Sequence, residues 1–146
     1  MFLLALATAI AGIFFGAALY VSLVEHPARV SAGIDVAVRQ FRPSYRRGAA
    51  MQGALAALGF GLGLAAAWRL SDLHVAISAL LLGLPIPVTL WIIAPTNRRL
   101  VDPSLDAGGS EAGQLLARWG RLHWIRTILG GLAFLLFLLR LVARTP

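Results

Sequence analysis

A tryptophan, a histidine, an arginine and a threonine share one face of the last apolar stretch. They are Trp119, His123, Arg126 and Thr127, and their spacing places them on one broad side of a helix. An imidazole that stays neutral inside a helix can act as a general base or as a metal ligand. The residue types and their spacing therefore indicate proton-transfer or metal-binding chemistry at this helix.

Two further polar groups interrupt apolar sequence, Glu25-His26 directly before Pro27 and Asn97-Arg98. Arg126 lies within an apolar stretch, where an ionised group is costly unless it faces the bundle interior and has a partner. Glu25 ends another apolar run, and we expect it to be the counter-charge of Arg126. Such a pair would fix two helices together, take part directly in function, or do both.

The same residues are also compatible with a metal-binding or haem-binding site. His26, His123 and Glu25 would suit a hard or borderline metal ion, although no HxxxH or HxxE spacing supports this. The two histidines would also serve as axial ligands of a haem b held between the first and last helices. The chain contains no cysteine, which excludes thiolate metal sites, disulfides and covalently attached haem.

The elements that must position these residues are membrane helices. Hydrophobic residues make up 59% of the chain and charged residues 13%, and the mean hydropathy is +0.80. About 20 apolar residues cross the ~30 Å hydrocarbon core as a helix. Four runs approach that length, and the sequence therefore predicts an all-α integral membrane bundle of four transmembrane helices, forming one domain over residues 1–146. The runs are residues 1–24, 48–68, 73–93 and 125–142.

The segment between the first two runs predicts a short amphipathic helix at the membrane surface. Ile34, Val38 and Phe41 recur at helical spacing among several arginines. Pro43 is expected to begin the next helix, since proline is tolerated in a first turn. Residues 1–24 lack the charged start of a secretory signal and are expected to remain as the first helix.

Three local features refine the later helices. Tyr45, Ala49 and Gln52 should share one side of the second helix. The prolines of Pro85-Ile86-Pro87 predict either a plain kink or a discontinuity that forms a site. The last helix should begin near Ser110, well before its apolar part.

The arginines indicate how the chain is oriented. All 13 basic residues are arginine and the net charge is +7, but no soluble fold is available to present them to nucleic acid. The positive-inside rule places the two large loops in the cytoplasm and both termini outside, in what we expect to be a bacterial inner membrane. The loops hold Arg29, Arg39, Arg42, Arg46, Arg47, Arg98, Arg99, Arg118 and Arg121, whereas the opposite side holds Arg69, Arg140 and Arg144.

Taken with their order and spacing, these residues make the chain resemble the anthrone oxygenase-like family of small four-helix membrane proteins. The resemblance covers nearly the whole chain, and many bacterial members have no known activity. It is carried by residues 16–20 leading to Glu25-His26-Pro27, by residues 95–100 (Pro-Thr-Asn-Arg-Arg-Leu), and by Trp119-xxx-His123-xx-Arg126-Thr127.

The resemblance implies a cofactor-independent oxygenase that acts on lipophilic anthrones. The characterised fungal members imply oxidation of polyketide anthrones to anthraquinones by O2 without an added redox cofactor. On this hypothesis His123 is the base, and Arg126 with Asn97 holds the oxyanion. His26 and Glu25 form a second acid/base or orienting pair. The substrate would be bound by Trp119, Trp124, Tyr20, Gln52 and Arg98.

Other functions stay open from the sequence. The chain would also suit a non-enzymatic membrane protein that binds a metal, haem or lipid, or that supports transport. The polar residues would also make sense as purely structural contacts. The expected partners are the lipid bilayer, a lipophilic small molecule and O2, with a homo-oligomer as an open alternative and no nucleic acid.

Overall fold

Four long helices account for most of the computed structural model, which describes residues 1–144. They are α1 (Phe2–Ser31), α2 (Ile34–Leu70), α3 (Leu73–Val101) and α4 (Ser110–Val142). Each contains an apolar window long enough to cross a membrane. The described part of the chain contains no strand. The predicted all-α fold with four membrane-spanning helices is confirmed, and the chain is an integral membrane protein.

Two tight turns keep successive helices antiparallel. Gly33 joins α1 to α2 with φ of 112°, a conformation that glycine adopts without steric cost. Ser71 ends α2 in the left-handed region with φ of 48°. The side chain of Asp72 then caps α3 by accepting hydrogen bonds from the backbone N–H groups of His74 and Val75. The α3–α4 connection is longer and polar, as expected, and α4 begins at Ser110.

The sequence-based prediction of a separate interfacial helix is not confirmed. Residues 34–47 form the first part of α2, which continues through Pro43 into the second span. The apolar face of this part packs inside the bundle, because Ala37, Val38 and Phe41 are fully buried against α3 and α4. Packing against those helices holds the segment in line with the rest of α2.

The helices form a closed ring in which each packs against its sequence neighbours and α4 closes on α1. Two apolar clusters fill the interior. One surrounds Phe14 and Phe137 toward the chain termini, and the other surrounds Phe41, Leu116 and Trp119 toward the Arg-rich loops. Polar side chains occupy the layer between these clusters, and that layer contains the candidate site.

Wider helical turns flank this polar layer. Residues Val21–Glu25 of α1 and Val88–Ile93 of α3 are π-helical, a geometry that often occurs at functional sites. In α3 the wide turns follow Pro85 and Pro87, which lack the N–H that a regular α-helix would use. The prolines therefore distort α3 without breaking it, and the helix runs on to Val101.

Candidate functional site

A cavity of about 90 Å³ lies in the polar layer and is lined by residues of all four helices. Its lining combines charged, amide and aromatic side chains. Of the residues that the sequence assigned to the site, Glu25, Gln52, Asn97, Trp119, His123 and Arg126 line it. The other lining residues are Val21, Arg29, Phe41, Ser44, Tyr45, Gly48, Ala49 and Ile93.

Arg126 reaches the cavity from α4 and is fixed by an amide. Its Nη2 donates a hydrogen bond of 2.6 Å to Oε1 of Gln52 on α2, and its guanidinium carbon lies 6.0 Å from the centre of the Phe14 ring. The buried Nε has no hydrogen-bond partner in residues 1–144. Gln52 uses one of the five N–H donors of the guanidinium, and an oxygen that enters the cavity would accept from the remaining N–H groups at its tip.

His123 is held by a chain of hydroxyl groups. Its Nδ1 lies 3.0 Å from Oγ of Ser22, which lies 2.8 Å from Oγ1 of Thr127. Thr127 can donate to the carbonyl of Ala18 at 3.3 Å. A carbonyl only accepts, so the arrangement that satisfies most groups has Thr127 donating to it, Ser22 donating to Thr127, and Nδ1–H donating to Ser22. That tautomer leaves Nε2 of His123 unprotonated and free to accept a proton.

Ser22 was not identified from the sequence, although it is a polar residue within an apolar run. It lies in the first π-helical segment and is buried. The wide turn directs its hydroxyl toward α4, where it meets His123 and Thr127. The sequence did predict that His123, Arg126 and Thr127 share a face of α4, and the structure places all three toward the interior.

Trp119 forms the aromatic wall of the cavity. Its indole Nε1 donates to Oδ1 of Asn97 at 2.9 Å. Its ring stacks on His123 with centroids 4.7 Å apart and meets Phe41 edge-on at 5.2 Å. Asn97 therefore orients the tryptophan and keeps its amide N–H groups for another acceptor.

The predicted ion pair between Glu25 and Arg126 is wrong. Glu25 instead bonds Arg29, four residues along the same helix, and also accepts from Gln40 at 3.2 Å. The reason is local, because an acid and a base at i and i+4 lie side by side on a helix. Arg29 was missed as a site residue, although this spacing was visible in the sequence.

Arg29 is buried beside the aromatic wall of the cavity. Its guanidinium carbon lies 5.9 Å from the ring centres of both Phe41 and Trp119. Its positive charge is balanced by Glu25, whereas Arg126 has no carboxylate partner in the described chain. The cavity wall thus carries one uncompensated positive charge.

Four residues assigned to the site from sequence do not line this cavity. His26 packs behind Trp119, with ring centroids 5.0 Å apart, and lies close to Gly120. Tyr20 and Trp124 are 57% and 38% exposed on the outside of the bundle, and Arg98 is exposed beside the loops. Each lies on a side of its helix that faces away from the cavity.

The residues considered for a metal ion, His26, His123 and Glu25, do not form one ligand group within residues 1–144. Within residues 1–144, no three histidine or acidic side chains lie close enough to hold one metal ion. Glu25 is engaged by Arg29, and His26 and His123 do not face a common cavity, since only His123 lines it. The two imidazoles pack against Trp119, whose ring occupies the space beside them.

The fold and the site define a class of protein, namely a four-helix membrane protein with an interior cavity that presents a histidine, an arginine and an aromatic wall. A family model described as anthrone oxygenase matches residues 41–136, about two thirds of the chain. The chain belongs to the anthrone oxygenase family, as its motifs predicted. No curated protein and no solved structure matches it.

Proposed function

We propose that this protein oxidises a lipophilic anthrone-type substrate with O2, without a redox cofactor. The observation that carries the proposal is the pairing of His123 with Arg126 on the wall of one cavity, where Arg126 lacks an acidic partner among the described residues 1–144. A free base beside an uncompensated cation suits a reaction that converts a neutral molecule into an anion. Membership of the anthrone oxygenase family supports the same chemistry.

The first step is removal of a proton from the methylene carbon of the anthrone. Nε2 of His123 accepts it, and Nδ1 stays bonded to Ser22 while the imidazole becomes charged. The electron pair moves to the carbonyl oxygen, since the product is an aromatic anthrolate. Arg126 and the amide of Asn97 hold that oxyanion, and fixed donors in a site without bulk water stabilise it strongly.

Oxidation follows because the anthrolate is rich in electrons. It passes an electron to O2, and combination of the two radicals forms a carbon–oxygen bond. The peroxide anion then takes the proton from His123. Removal of the second hydrogen from the same carbon breaks the O–O bond, forms the new carbonyl and releases hydroxide, which is protonated to water. One anthrone and one O2 thus give one anthraquinone and one water.

The aromatic wall positions the substrate for these steps. Trp119 and Phe41 offer flat surfaces to a planar ring system, and Asn97 fixes the indole. Arg29 lies over both rings and keeps them in place. His26 supports this wall from behind through its contact with Trp119. Glu25, which lines the cavity, holds Arg29 in place.

The arrangement of arginines also supports an orientation with the polar loops in the cytoplasm and both termini outside. Since the chain has no native cysteine, a single cysteine placed in the α3–α4 loop would report this directly. In intact bacterial cells, a membrane-impermeant maleimide should fail to label it until the cells are opened. Labelling of intact cells would reverse the orientation.

The activity is tested by adding anthrone to purified protein under air and following anthraquinone by its absorption. Wild-type protein should form the quinone well above the buffer rate. His123→Ala should lose about a hundred- to ten-thousand-fold of this rate, the usual contribution of a general base. Equal rates for the two proteins would reject His123 as the base, and no rate for the wild type would reject the proposed activity.

A further inference from the structure

A second cavity of about 200 Å³ adjoins the first between α2 and α3. The two cavities share Tyr45, Ala49, Gln52 and Arg126 as lining residues. The rest of the second cavity is largely apolar, and Leu90 at its edge is 62% exposed on the surface that faces lipid. The residues found only in this cavity are Gly53, Ala56, Pro85, Ile86, Thr89 and Leu90.

At the level of Gly53 and Pro85, α2 and α3 leave between them the space that forms the second cavity. At Gly59 the helices are in close contact, since an added Cβ would lie 2.4 Å from the side chain of Leu82. Gly53 lines the second cavity, and an added Cβ there would meet nothing within 4 Å. The separation coincides with Pro85 and the wide turns that follow it in α3. The distortion of α3 thus forms a lateral gap.

The polarity of the gap changes from outside to inside. Its outer part is formed by Ile86, Leu90 and the small residues of α2, and its inner end by the hydrogen-bonded pair of Gln52 and Arg126. A molecule in the gap would therefore meet apolar groups along its body and one cation at its inner end. Ser44 and Gly48 line the first cavity but not the second.

We propose that this gap is the entrance through which substrate passes sideways from the bilayer into the site. Its occupant is a flat, lipophilic molecule with one acidic oxygen, which reaches Arg126 while the ring system lies between α2 and α3. Binding at the gap follows from the geometry, but the identity of the occupant as an anthrone rests on the proposed function.

The entrance can be closed after the protein has folded. Gly53→Cys adds a thiol in the gap, and Gly61→Cys is a matched control, because Gly61 lies on the same helix, is exposed and also has open space at its Cβ. The chain has no other cysteine.

Both variants are purified, placed in lipid nanodiscs and labelled with a benzyl maleimide. Alizarin, a hydroxyanthraquinone that changes colour on ionisation, is the binding probe, and anthrone oxidation is a second readout.

Labelled Gly53→Cys should bind alizarin about tenfold or more weakly than unlabelled Gly53→Cys, whereas labelling should leave the binding by Gly61→Cys unchanged. Bound alizarin should show the colour of its anion, and Arg126→Gln should abolish that colour. Equal binding by the two labelled proteins, or no binding by the wild type, would overturn the entrance. If labelling at residue 53 weakens alizarin binding but the wild type oxidises no anthrone, the entrance is supported and the oxygenase activity is rejected. If the wild type oxidises anthrone and labelling at residue 53 leaves the rate unchanged, the activity is supported and the entrance is rejected.

Discussion

Arg126 donates a 2.6 Å hydrogen bond to Gln52 and has no carboxylate partner within residues 1–144. An ionised arginine inside a membrane bundle normally pairs with an acid or faces a polar cavity. Here the amide fixes the guanidinium without neutralising it, and the same two residues stand where two cavities meet. This contact therefore links the proposed reaction to the proposed entrance.

Removing the charge of Arg126 should slow the reaction far more than it disturbs the fold. Arg126→Gln should lower the rate of anthrone oxidation by about a hundred- to a thousand-fold, the loss typical of one oxyanion donor. Arg118→Gln is the matched control, because Arg118 is exposed on the same helix. Initial rates at equal protein concentration provide the measurement, and a similar loss in both variants would point to a general charge effect.

The hydroxyl of Ser22 should act through His123. Ser22→Ala removes the acceptor for Nδ1–H, so the imidazole loses the contact that fixes its tautomer. We expect kcat to fall about tenfold or more and KM to change little. This loss is smaller than the whole contribution of a general base, because His123 is still present. Ser22→Thr, which restores a hydroxyl, should recover most of the rate. His74→Ala, at the opposite end of the bundle, should have no effect, and failure of Ser22→Thr to rescue would argue for a packing role instead.

The partner of Glu25 can be established by double-mutant cycles. Glu25 bonds Arg29 in the structure, so Glu25→Gln and Arg29→Gln should be coupled by about 0.5–3 kcal/mol in the free energy of unfolding. Glu25→Gln and Arg126→Gln should be additive within about 0.5 kcal/mol. Unfolding by SDS in mixed micelles provides the energies. Strong coupling only in the second cycle would restore the ion pair first expected from sequence.

At the other end of the bundle, Asp72 should make stability depend on pH. Burial of the carboxyl opposes its ionisation, but hydrogen bonds from Arg140 at 2.5 Å and Arg144 at 2.8 Å outweigh this and lower the pKa of Asp72 well below its usual value. A carboxyl whose pKa is lower in the folded state stabilises the protein above its unfolded pKa of about 3.9, and that stabilisation is lost as the pH falls further.

Asp72→Asn should therefore lower the melting temperature at neutral pH and reduce its decline between neutral and acid pH. Asp72→Ala should cost about 1 kcal/mol more, because the N-cap of α3 is lost as well. Asp35→Asn is the control, since Asp35 forms an exposed pair with Arg39, and such pairs contribute little. Equal melting curves for wild type and Asp72→Asn would show that this cluster does not stabilise the bundle.

Much of the fold followed from sequence because lipid imposes simple requirements. The four apolar runs became four helices, and the common face of His123, Arg126 and Thr127 was predictable from helical spacing. The side shared by Tyr45, Ala49 and Gln52 was predicted in the same way, and all three residues line both cavities. Periodicity thus identified which side of each long helix is polar.

The rest required the relative rotation and height of the helices, which spacing does not give. The wide turn at Val21–Glu25 directs Ser22 toward His123 and leaves His26 behind Trp119. The choice of Arg29 over Arg126 as partner of Glu25 depended on a local contact that outcompeted a distant one. Tyr20 and Trp124 looked suitable for a pocket only by residue type, and Tyr and Trp are also enriched where a membrane protein meets the membrane–water interface.

The central claim is that His123 and Arg126 convert an anthrone into its anion for direct reaction with O2. The most direct test gives anthrone and isotopically labelled O2 to purified wild-type protein and to Arg126→Gln, and measures anthraquinone by mass spectrometry. We predict one labelled oxygen atom per quinone, one O2 consumed per quinone, and a rate that falls sharply in the variant. Quinone formed at the same rate by both proteins, or without the label, would contradict the account.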